Sequence, residues 1–237
     1  MTTLTQPASK TLRVNDLALH YLEWGEADAP DIVCVHGYTG SADAFNALAR
    51  RLCDRFHIIA PDVRGHGESG WSAAGAYEYA DQAGDLAAFA DRLELERFVL
   101  IGTSMGGIIA MAYRREMSPI VAGRNAEDQR ELALGVLRQR ADGRWGWKMD
   151  PAYIRQRVEH GAPRRPPLWP GLQALHCPTL VVWGTESDVL SEAQARRMVG
   201  ALPQGELVRV PGIGHAPTLV EPHSLAALER LLAGLQP

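Results

Sequence analysis

The chain has 237 residues, 46% of them apolar, a length and composition that suit one domain or a tight pair of lobes with a sizeable core. Its 24 Lys and Arg residues against 28 Asp and Glu residues give a formal charge of −4, and the lack of a dense cationic block argues against nucleic-acid binding. No apolar run approaches the roughly 18 residues that cross a bilayer, and the first residues lack the parts of a signal peptide, so we expect a cytoplasmic protein without a membrane partner.

Strand and helix patterns alternate along the chain. Continuous apolar runs such as Ile32-Val33-Cys34-Val35 are typical of strands that are buried on both faces, as in a parallel sheet. In chain order we predict a hairpin over 11–24, strands over 32–35, 57–60, 98–101, 180–183 and 206–210, and helices over 41–52, 79–93, 192–202 and 224–235. The alternation predicts an α/β fold with a mostly parallel central sheet flanked by helices.

Cysteine spacing points away from metal and disulfide chemistry. Cys34, Cys53 and Cys177 are odd in number, and none belongs to a C-x-x-C pair. We therefore expect free thiols, no metal site and no cofactor.

The pattern G-x-S-x-G occurs at Gly102-Thr103-Ser104-Met105-Gly106, after a predicted strand and before an apolar helical run. A serine on a sharp strand-to-helix turn projects from the sheet, and the two glycines leave room for the tightly folded backbone. The amides at the start of the following helix favour developing negative charge. Ser104 is therefore the candidate nucleophile.

A serine hydroxyl needs a base, and the base needs an acid that fixes its tautomer. His215 follows the last predicted strand in a loop flanked by glycines, where loops at the carboxyl ends of parallel strands converge. Asp188 follows the preceding strand and is the preferred acid, with Glu186 as the alternative. Five other histidines lack such placement, and we interpret them as structural or surface residues: His20, His57, His160, His176 and His223.

Acyl transfer also needs hydrogen-bond donors for an oxyanion. One is the backbone amide of Met105, the residue after the nucleophile. The loop His36-Gly37-Tyr38 follows the first long strand, so the amide of Tyr38 is the natural second donor.

Taken together, these segments resemble the α/β-hydrolase superfamily, in particular its small, cofactor-free serine esterase and lactonase-like branch. The resemblance rests on the G-x-S-x-G motif, His36-Gly37, the segment 61–69 with sequence PDVRGHGES, and the segments around Asp188 and His215, and it extends from about residue 12 to the C-terminus. It implies that Ser104 is the nucleophile, His215 the base and Asp188 the acid, with the amides of Tyr38 and Met105 as oxyanion hole. His36 and His66 resemble pocket-shaping loop residues, for which a structural role is favoured over a catalytic one.

A serine at the nucleophile position limits the reactions that this resemblance implies. Haloalkane dehalogenases and epoxide hydrolases of the same fold use a carboxylate nucleophile, so Ser104 argues against both. Hydrolysis of esters, lactones, thioesters or carbon–carbon bonds and a perhydrolase side activity stay open.

The chain departs from the family between residues 113 and 171. Only Ile120-Val121 offers strand material where relatives carry a sixth strand, so we expect that strand to be missing or vestigial. The cap is expected to be short, with a helix over 125–140, a turn holding Trp145 and Trp147, and a helix over 151–160. The predicted division is an N-terminal core part over 1–113, a reduced cap over 114–170 and a C-terminal core part over 171–237.

A missing strand would have consequences for the acid and for assembly. If the sheet closed the gap, Asp188 would move by about one strand spacing of 4.8 Å and lose a hydrogen bond to His215. Alternatively, Ile120-Val121 forms a short strand, or a second chain fills the gap. An open sheet edge would favour pairing, so we predict a homodimer through residues 113–160.

The leading functional prediction is a serine hydrolase that cleaves small carboxylic esters or lactones through an acyl-enzyme, with a small-molecule ester as its partner. The alternative is a ligand-binding or weakly active protein on a hydrolase scaffold, because fold does not fix function. Four aromatic residues are candidate pocket lining, although ordinary packing would explain each equally well: Tyr38, Trp145, Trp147 and Trp169.

Overall fold

The computed structural model describes residues 6–113, 118–121, 136–139, 144–161, 163 and 168–234. Its strands are β1 Ala8–Val14, β2 Leu17–Trp24, β3 Asp31–Val35, β4 His57–Pro61, β5 Phe98–Gly102, β6 Ser118–Val121, β7 Leu137–Gln139, β8 Trp145–Trp147, β9 Thr179–Gly184 and β10 Gly205–Val210. A 3-10 turn over Ala42–Phe45 precedes the helices α1 Asn46–Leu52, α2 Tyr79–Arg92, α3 Met105–Ala112, α4 Pro151–His160, α5 Leu168–Gln173, α6 Glu192–Ala201 and α7 Pro222–Ala233. No described helix has the length and apolar character that a bilayer crossing requires.

Eight of these strands form one mixed sheet in the order β1-β2-β4-β3-β5-β6-β9-β10. The first two strands are antiparallel to their neighbours, and the other six run parallel. The predicted α/β class with a mostly parallel sheet is confirmed.

Alternating side chains of the central strands enter two cores on opposite faces of the sheet. Val33 packs in the same core as Phe89 of α2 and Ile109 of α3. Its neighbour Ile32 packs in the other core, with Leu228 of α7. Because helices cover both faces, the central strands bury side chains on both sides. The polar loops therefore lie at the ends of these strands.

The sixth strand, expected to be missing or vestigial, is present as the four-residue strand β6. Its residues 118–121 pair in parallel with Val99–Gly102 of β5, and Ile120 and Val121 pair with β9. Because β6 fills the position between β5 and β9, the sheet has no gap to close and β9 keeps its place. The open sheet edge that the homodimer prediction assumed is therefore covered by β6 in the described sheet. The homodimer itself stays a prediction.

The segment after β6 differs in part from the predicted helix over 125–140. Residues 137–139 form β7, which pairs antiparallel with β8, so the helix prediction is wrong there. Residues 125–135 and 140 lie outside the described residues. Trp145 and Trp147, expected in a turn, belong to β8.

The helix predicted over 151–160 is confirmed as α4. Its start follows from the sequence, because Asp150 accepts a hydrogen bond from the amide of Ala152 at 2.7 Å and Pro151 occupies the first helical position. Further along, Leu168–Gln173 form α5, a helix that was not predicted. The three-part division of the chain stays a prediction.

Candidate active site

Ser104 lies at a sharp turn between β5 and α3. Its backbone has φ of 51° and ψ of −108°, a left-handed conformation that is strained for any residue other than glycine. A side chain at Gly102 would collide with the backbone of Gly106, and one at Gly106 would collide with the carbonyl oxygen of Val35. The two glycines thus let β5 pass directly into α3 and leave the Ser104 hydroxyl at the carboxyl end of the sheet.

The loop after β10 brings His215 to this serine. Nε2 of His215 lies 3.0 Å from Oγ of Ser104, although 111 positions separate the two residues in sequence. Burial lowers the pKa of His215, while the nearby charge of Asp188 opposes this shift. The imidazole is therefore neutral at neutral pH, the state in which it can accept a proton.

The other imidazole nitrogen of His215 contacts a hydroxyl group. Ser187 Oγ lies 3.4 Å from Nδ1, and the same oxygen accepts the amide hydrogen of Leu190 at 3.0 Å. Asp188 and Glu186 are both exposed, and in the described part of the chain neither carboxylate forms a hydrogen bond with His215. Asp188 acts on the imidazole through its charge, and its role as the acid stays a prediction.

The two predicted oxyanion donors flank Ser104. A Cβ atom on Gly37 would lie only 3.5 Å from the Cβ of Ser104, so the loop that carries Tyr38 is adjacent to the nucleophile. Met105 is the first residue of α3, where an amide has no partner within the helix. Neither the Tyr38 amide nor the Met105 amide forms a hydrogen bond with another described residue, so both are available to a ligand.

Two buried histidines fix the backbone of the Tyr38 loop. Nε2 of His36 accepts the amide hydrogen of Val63 at 2.9 Å, so its proton resides on Nδ1, which donates to the carbonyl oxygen of Gly37 at 2.8 Å. Nε2 of His66 lies 2.6 Å from the carbonyl oxygen of Tyr38, and burial lowers the pKa of His66. Both contacts support the structural role expected for these histidines.

Helix α4 contributes two residues that motif analysis missed. The ring of Tyr153 meets the ring of Tyr38 edge to face at 5.5 Å, and its hydroxyl lies 3.6 Å from Sδ of Met105. Arg157, one turn later, places its guanidinium carbon 3.9 Å from the centre of the Tyr38 ring. Their i, i+4 spacing after the Asp150-Pro151 start signal was the available clue, because it places both side chains on one helix face.

The candidate lining tryptophans differ from Tyr38 in their surroundings. Trp147 is 52% exposed on the β7–β8 hairpin. Trp169 is partly buried beside Leu172, and the guanidinium carbon of Arg197 lies 4.3 Å from the centre of its ring. The Trp145 side chain lies outside the described part of the structure. Only Tyr38 of the four thus adjoins the residues around Ser104 in the described contacts.

A second Ser-His-Asp arrangement occurs away from Ser104, at the edge of the sheet formed by β1 and β2. Ser9 Oγ lies 2.9 Å from Nε2 of His20, and Nδ1 of His20 lies 2.8 Å from a carboxylate oxygen of Asp62. The Asp62 carboxylate also accepts the amide hydrogens of Ala42 and Glu68, so it organises two loops. Ser9 lies within the regular strand β1, without a following helix start to bind an oxyanion. This arrangement is structural, and it makes Ser9 a natural control for Ser104.

Among the described residues, no group of three His, Cys, Asp or Glu side chains is placed to hold a metal ion. The three cysteines form no disulfide with one another.

Comparisons with known proteins agree with this architecture. Residues 32–228 match the model of the alpha/beta hydrolase family. The chain is 29% identical to a 3-hydroxybutyrate-oligomer hydrolase of Cupriavidus necator, over 90% of this chain and 92% of that protein. It is 24% identical to 3-oxoadipate enol-lactonase 2 of Acinetobacter baylyi, over 78% and 82% of the two chains. A crystal structure of an alpha/beta hydrolase from Novosphingobium aromaticivorans superposes with a TM-score of 0.83 at 28% identity, covering 97% of this chain and 99% of that one. The chain belongs to the alpha/beta hydrolase family.

Proposed function

We propose that this protein is a serine hydrolase that cleaves small carboxylic esters or lactones through an acyl-enzyme on Ser104. The observation that carries the proposal is the 3.0 Å approach of His215 Nε2 to Ser104 Oγ at a strained strand-to-helix turn. A hydroxyl in this position is exposed to an incoming carbonyl group and touches its base at the same time.

The first half-reaction forms the acyl-enzyme. His215 Nε2 takes the hydroxyl proton as Ser104 Oγ attacks the ester carbonyl carbon, and the carbonyl oxygen becomes an oxyanion between the amides of Tyr38 and Met105. The carbon–oxygen bond to the alcohol then breaks, and His215 returns the proton to the leaving alkoxide. Each oxyanion donor of this kind contributes about 2.7–4 kcal/mol to the transition state.

The second half-reaction regenerates the serine. Water loses a proton to His215 Nε2 and attacks the acyl carbon, the bond to Ser104 Oγ breaks, and the proton passes from His215 to that oxygen. The free carboxylic acid leaves. The charge of Asp188 supports this cycle because it stabilises the imidazolium that forms twice in each turnover.

The activities of two relatives favour esters and lactones over the other bonds. One relative acts on 3-hydroxybutyrate oligomers, and another is an enol-lactonase. An oligomer of a hydroxy acid is joined by esters and a lactone is a cyclic ester, so both relatives act on the same functional group.

The experiment is a comparison of kcat/KM for methyl butyrate and γ-butyrolactone between the wild type, Ser104→Ala and Ser9→Ala. The Ser104 variant should lose at least about a thousandfold in kcat/KM, because nucleophilic catalysis ends with the hydroxyl. The Ser9 variant, which removes the hydroxyl of the second Ser-His-Asp arrangement, should stay within about twofold. Retention of most activity by Ser104→Ala would refute the proposal, and activity that depends on Ser9 would relocate the site.

A further inference from the structure

We propose that Arg157 binds a carboxylate of the substrate, so that the preferred substrates are esters that also carry a free carboxylate group. The inference rests on the proposed function and names its substrate class. The guanidinium carbon of Arg157 lies 3.9 Å from the centre of the Tyr38 ring, and Tyr38 is a predicted oxyanion donor. A positive charge thus lies against the side chain of the residue whose amide is a predicted oxyanion donor.

The hydrogen-bonding capacity of Arg157 is largely unused. The guanidinium carbon lies over the Tyr38 ring, and a guanidinium group carries five N–H donors. One contact goes to the Tyr153 hydroxyl. Among the residues that the structure describes, no carboxylate forms an ion pair with Arg157.

Two other basic residues, one in the loop over residues 62–77 and one that contacts it, have acidic partners. Arg64 is held by the carboxylate of Asp85, with contacts of 2.5 and 2.7 Å, and Lys148 pairs with Glu68 at 2.9 Å. Arg157 is half-buried, and the contacts described for it are with the Tyr38 ring and the Tyr153 hydroxyl. A partly desolvated cation is costly without a counter-charge. No acidic side chain of the described residues fills this role, and an anionic group of the ligand would fill it.

The position of Arg157 is fixed by packing and does not need an anion to hold it. One turn before it, Tyr153 is 1% exposed and stacks on Tyr77 at 4.7 Å. The Tyr77 hydroxyl donates to the carboxylate of Asp150, the residue that caps α4. The helix is therefore anchored at its first turn, and the guanidinium is preorganised before any ligand arrives.

A guanidinium and a carboxylate match as a planar, bidentate pair that is stronger than a neutral hydrogen bond. A substrate with an ester at one end and a carboxylate at the other would place the ester at Ser104 and the carboxylate at Arg157. Neutral esters of the same length would bind without this contact. The competing explanation is that Arg157 only positions the Tyr38 ring, and it predicts equal losses for both kinds of ester.

The test compares monomethyl glutarate, which is anionic, with methyl pentanoate, which has the same five-carbon acyl chain and no charge. For Arg157→Gln, kcat/KM for the anionic ester should fall at least about tenfold more than kcat/KM for the neutral ester, mainly through KM. Arg157→Lys should recover part of the preference, because it keeps the charge and loses the bidentate geometry. Arg155→Gln, a charge loss at an exposed position of the same helix, should leave the ratio of the two values unchanged. Equal losses on both esters, or an unchanged ratio in Arg157→Gln, would overturn the inference.

A second readout does not depend on turnover. Calorimetry should detect binding of monomethyl glutarate to the Ser104→Ala protein, and adding Arg157→Gln should weaken that binding at least about tenfold. Equal affinity in the two proteins would refute the carboxylate site. Binding that depends on Arg157 in a protein that hydrolyses neither ester would refute the proposed hydrolysis and leave the carboxylate site standing.

Discussion

Ser187 Oγ lies 3.4 Å from Nδ1 of His215, a position at which a serine hydrolase of this fold normally holds a carboxylate. Asp188 is the next residue, and its charge acts on the imidazole without a hydrogen bond in the described structure. The backbone of this loop is tied to the loop that carries His215, because the amide of Glu186 donates to the carbonyl oxygen of Ile213 at 2.9 Å. The two loops thus keep Asp188, the predicted acid, near His215 while leaving its side chain exposed.

The first prediction concerns Asp188. Asp188→Asn removes the charge that stabilises the imidazolium, so kcat/KM for a neutral ester should fall by about tenfold, the factor that corresponds to about 1.4 kcal/mol of lost electrostatic stabilisation. Glu186→Gln is the same change at the alternative acid, and it should lower kcat/KM by less than about threefold. The reason is that the charge of Asp188, and not that of Glu186, shifts the pKa of His215. Steady-state kinetics on methyl butyrate decides between the two carboxylates. A large loss in Glu186→Gln alone would identify Glu186 as the acid.

The second prediction concerns the pH dependence of the reaction. The base must be neutral, and burial lowers the pKa of His215 below its ordinary 6.5. The acid limb of kcat/KM should therefore have its midpoint below pH 6.5. Because the charge of Asp188 raises the His215 pKa, Asp188→Asn should move the midpoint further down. A profile of kcat/KM between pH 4.5 and 8.5 measures both effects, and a wild-type midpoint at or above pH 7 would contradict them.

The third prediction concerns the anchoring of α4. Asp150→Ala removes the helix cap and the acceptor of the Tyr77 hydroxyl, so the free energy of unfolding should fall by about 2 kcal/mol. Activity should also fall by about tenfold, because α4 holds the ring of Tyr153 against the ring of Tyr38.

The matched control is Ser191→Ala, which removes the cap of α6. Ser191 Oγ accepts the amide hydrogen of Gln194 at 3.2 Å, so its loss should cost about 1 kcal/mol of stability while kcat/KM stays within about twofold. Urea denaturation and kinetics on both variants provide the comparison. Equal effects of the two substitutions on kcat/KM would contradict the role assigned to α4.

The fourth prediction concerns the stability of the sheet near β4. His57 is buried between two carboxylates, with Nδ1 at 2.7 Å from Asp31 and Nε2 at 2.9 Å from Glu23. The hydrogen bond with Asp31 raises the pKa of His57 above 6.5, with burial opposing and Glu23 adding to the shift. The native state then holds a proton that the unfolded chain releases, so this stabilisation is complete below about pH 6.5 and is lost as pH rises through the native pKa.

Urea denaturation at several pH values measures this effect. Between pH 6.5 and 9 the free energy of unfolding should fall more steeply in the wild type than in His57→Gln. His160→Gln changes a histidine whose side chain is 76% exposed and should keep the wild-type slope. Identical slopes in the wild type and His57→Gln would contradict the ion-pair interpretation.

Local sequence patterns were sufficient for most of the fold. The apolar runs at β3, β5 and β9 and the glycines around Ser104 each have a single physical explanation, burial on both faces or a tight turn, and the structure agrees with both. The prediction was weaker at β6, because a strand of only four residues between two longer ones is stabilised by its neighbours rather than by its own sequence.

Site residues could be predicted from the sequence only where a motif or a loop position marks them. Ser104 and His215 follow from loop position, and the structure brings them together. Ser187 at Nδ1 and Arg157 over Tyr38 depend on how separate loops and helices pack, which no local spacing encodes. The helix predicted around residues 137–139 failed because its polar residues also suit a solvent-facing hairpin, and the partner strand β8 decides between the two.

The most direct measurement is mass spectrometry of the protein after treatment with a fluorophosphonate, which reacts covalently with an activated serine hydroxyl. One adduct per chain should form, peptide mapping should place it on Ser104, and His215→Ala should slow its formation at least about a hundredfold. An unlabelled Ser104, or a label that forms on Ser9 at the same rate, would contradict the central claim that His215 activates Ser104.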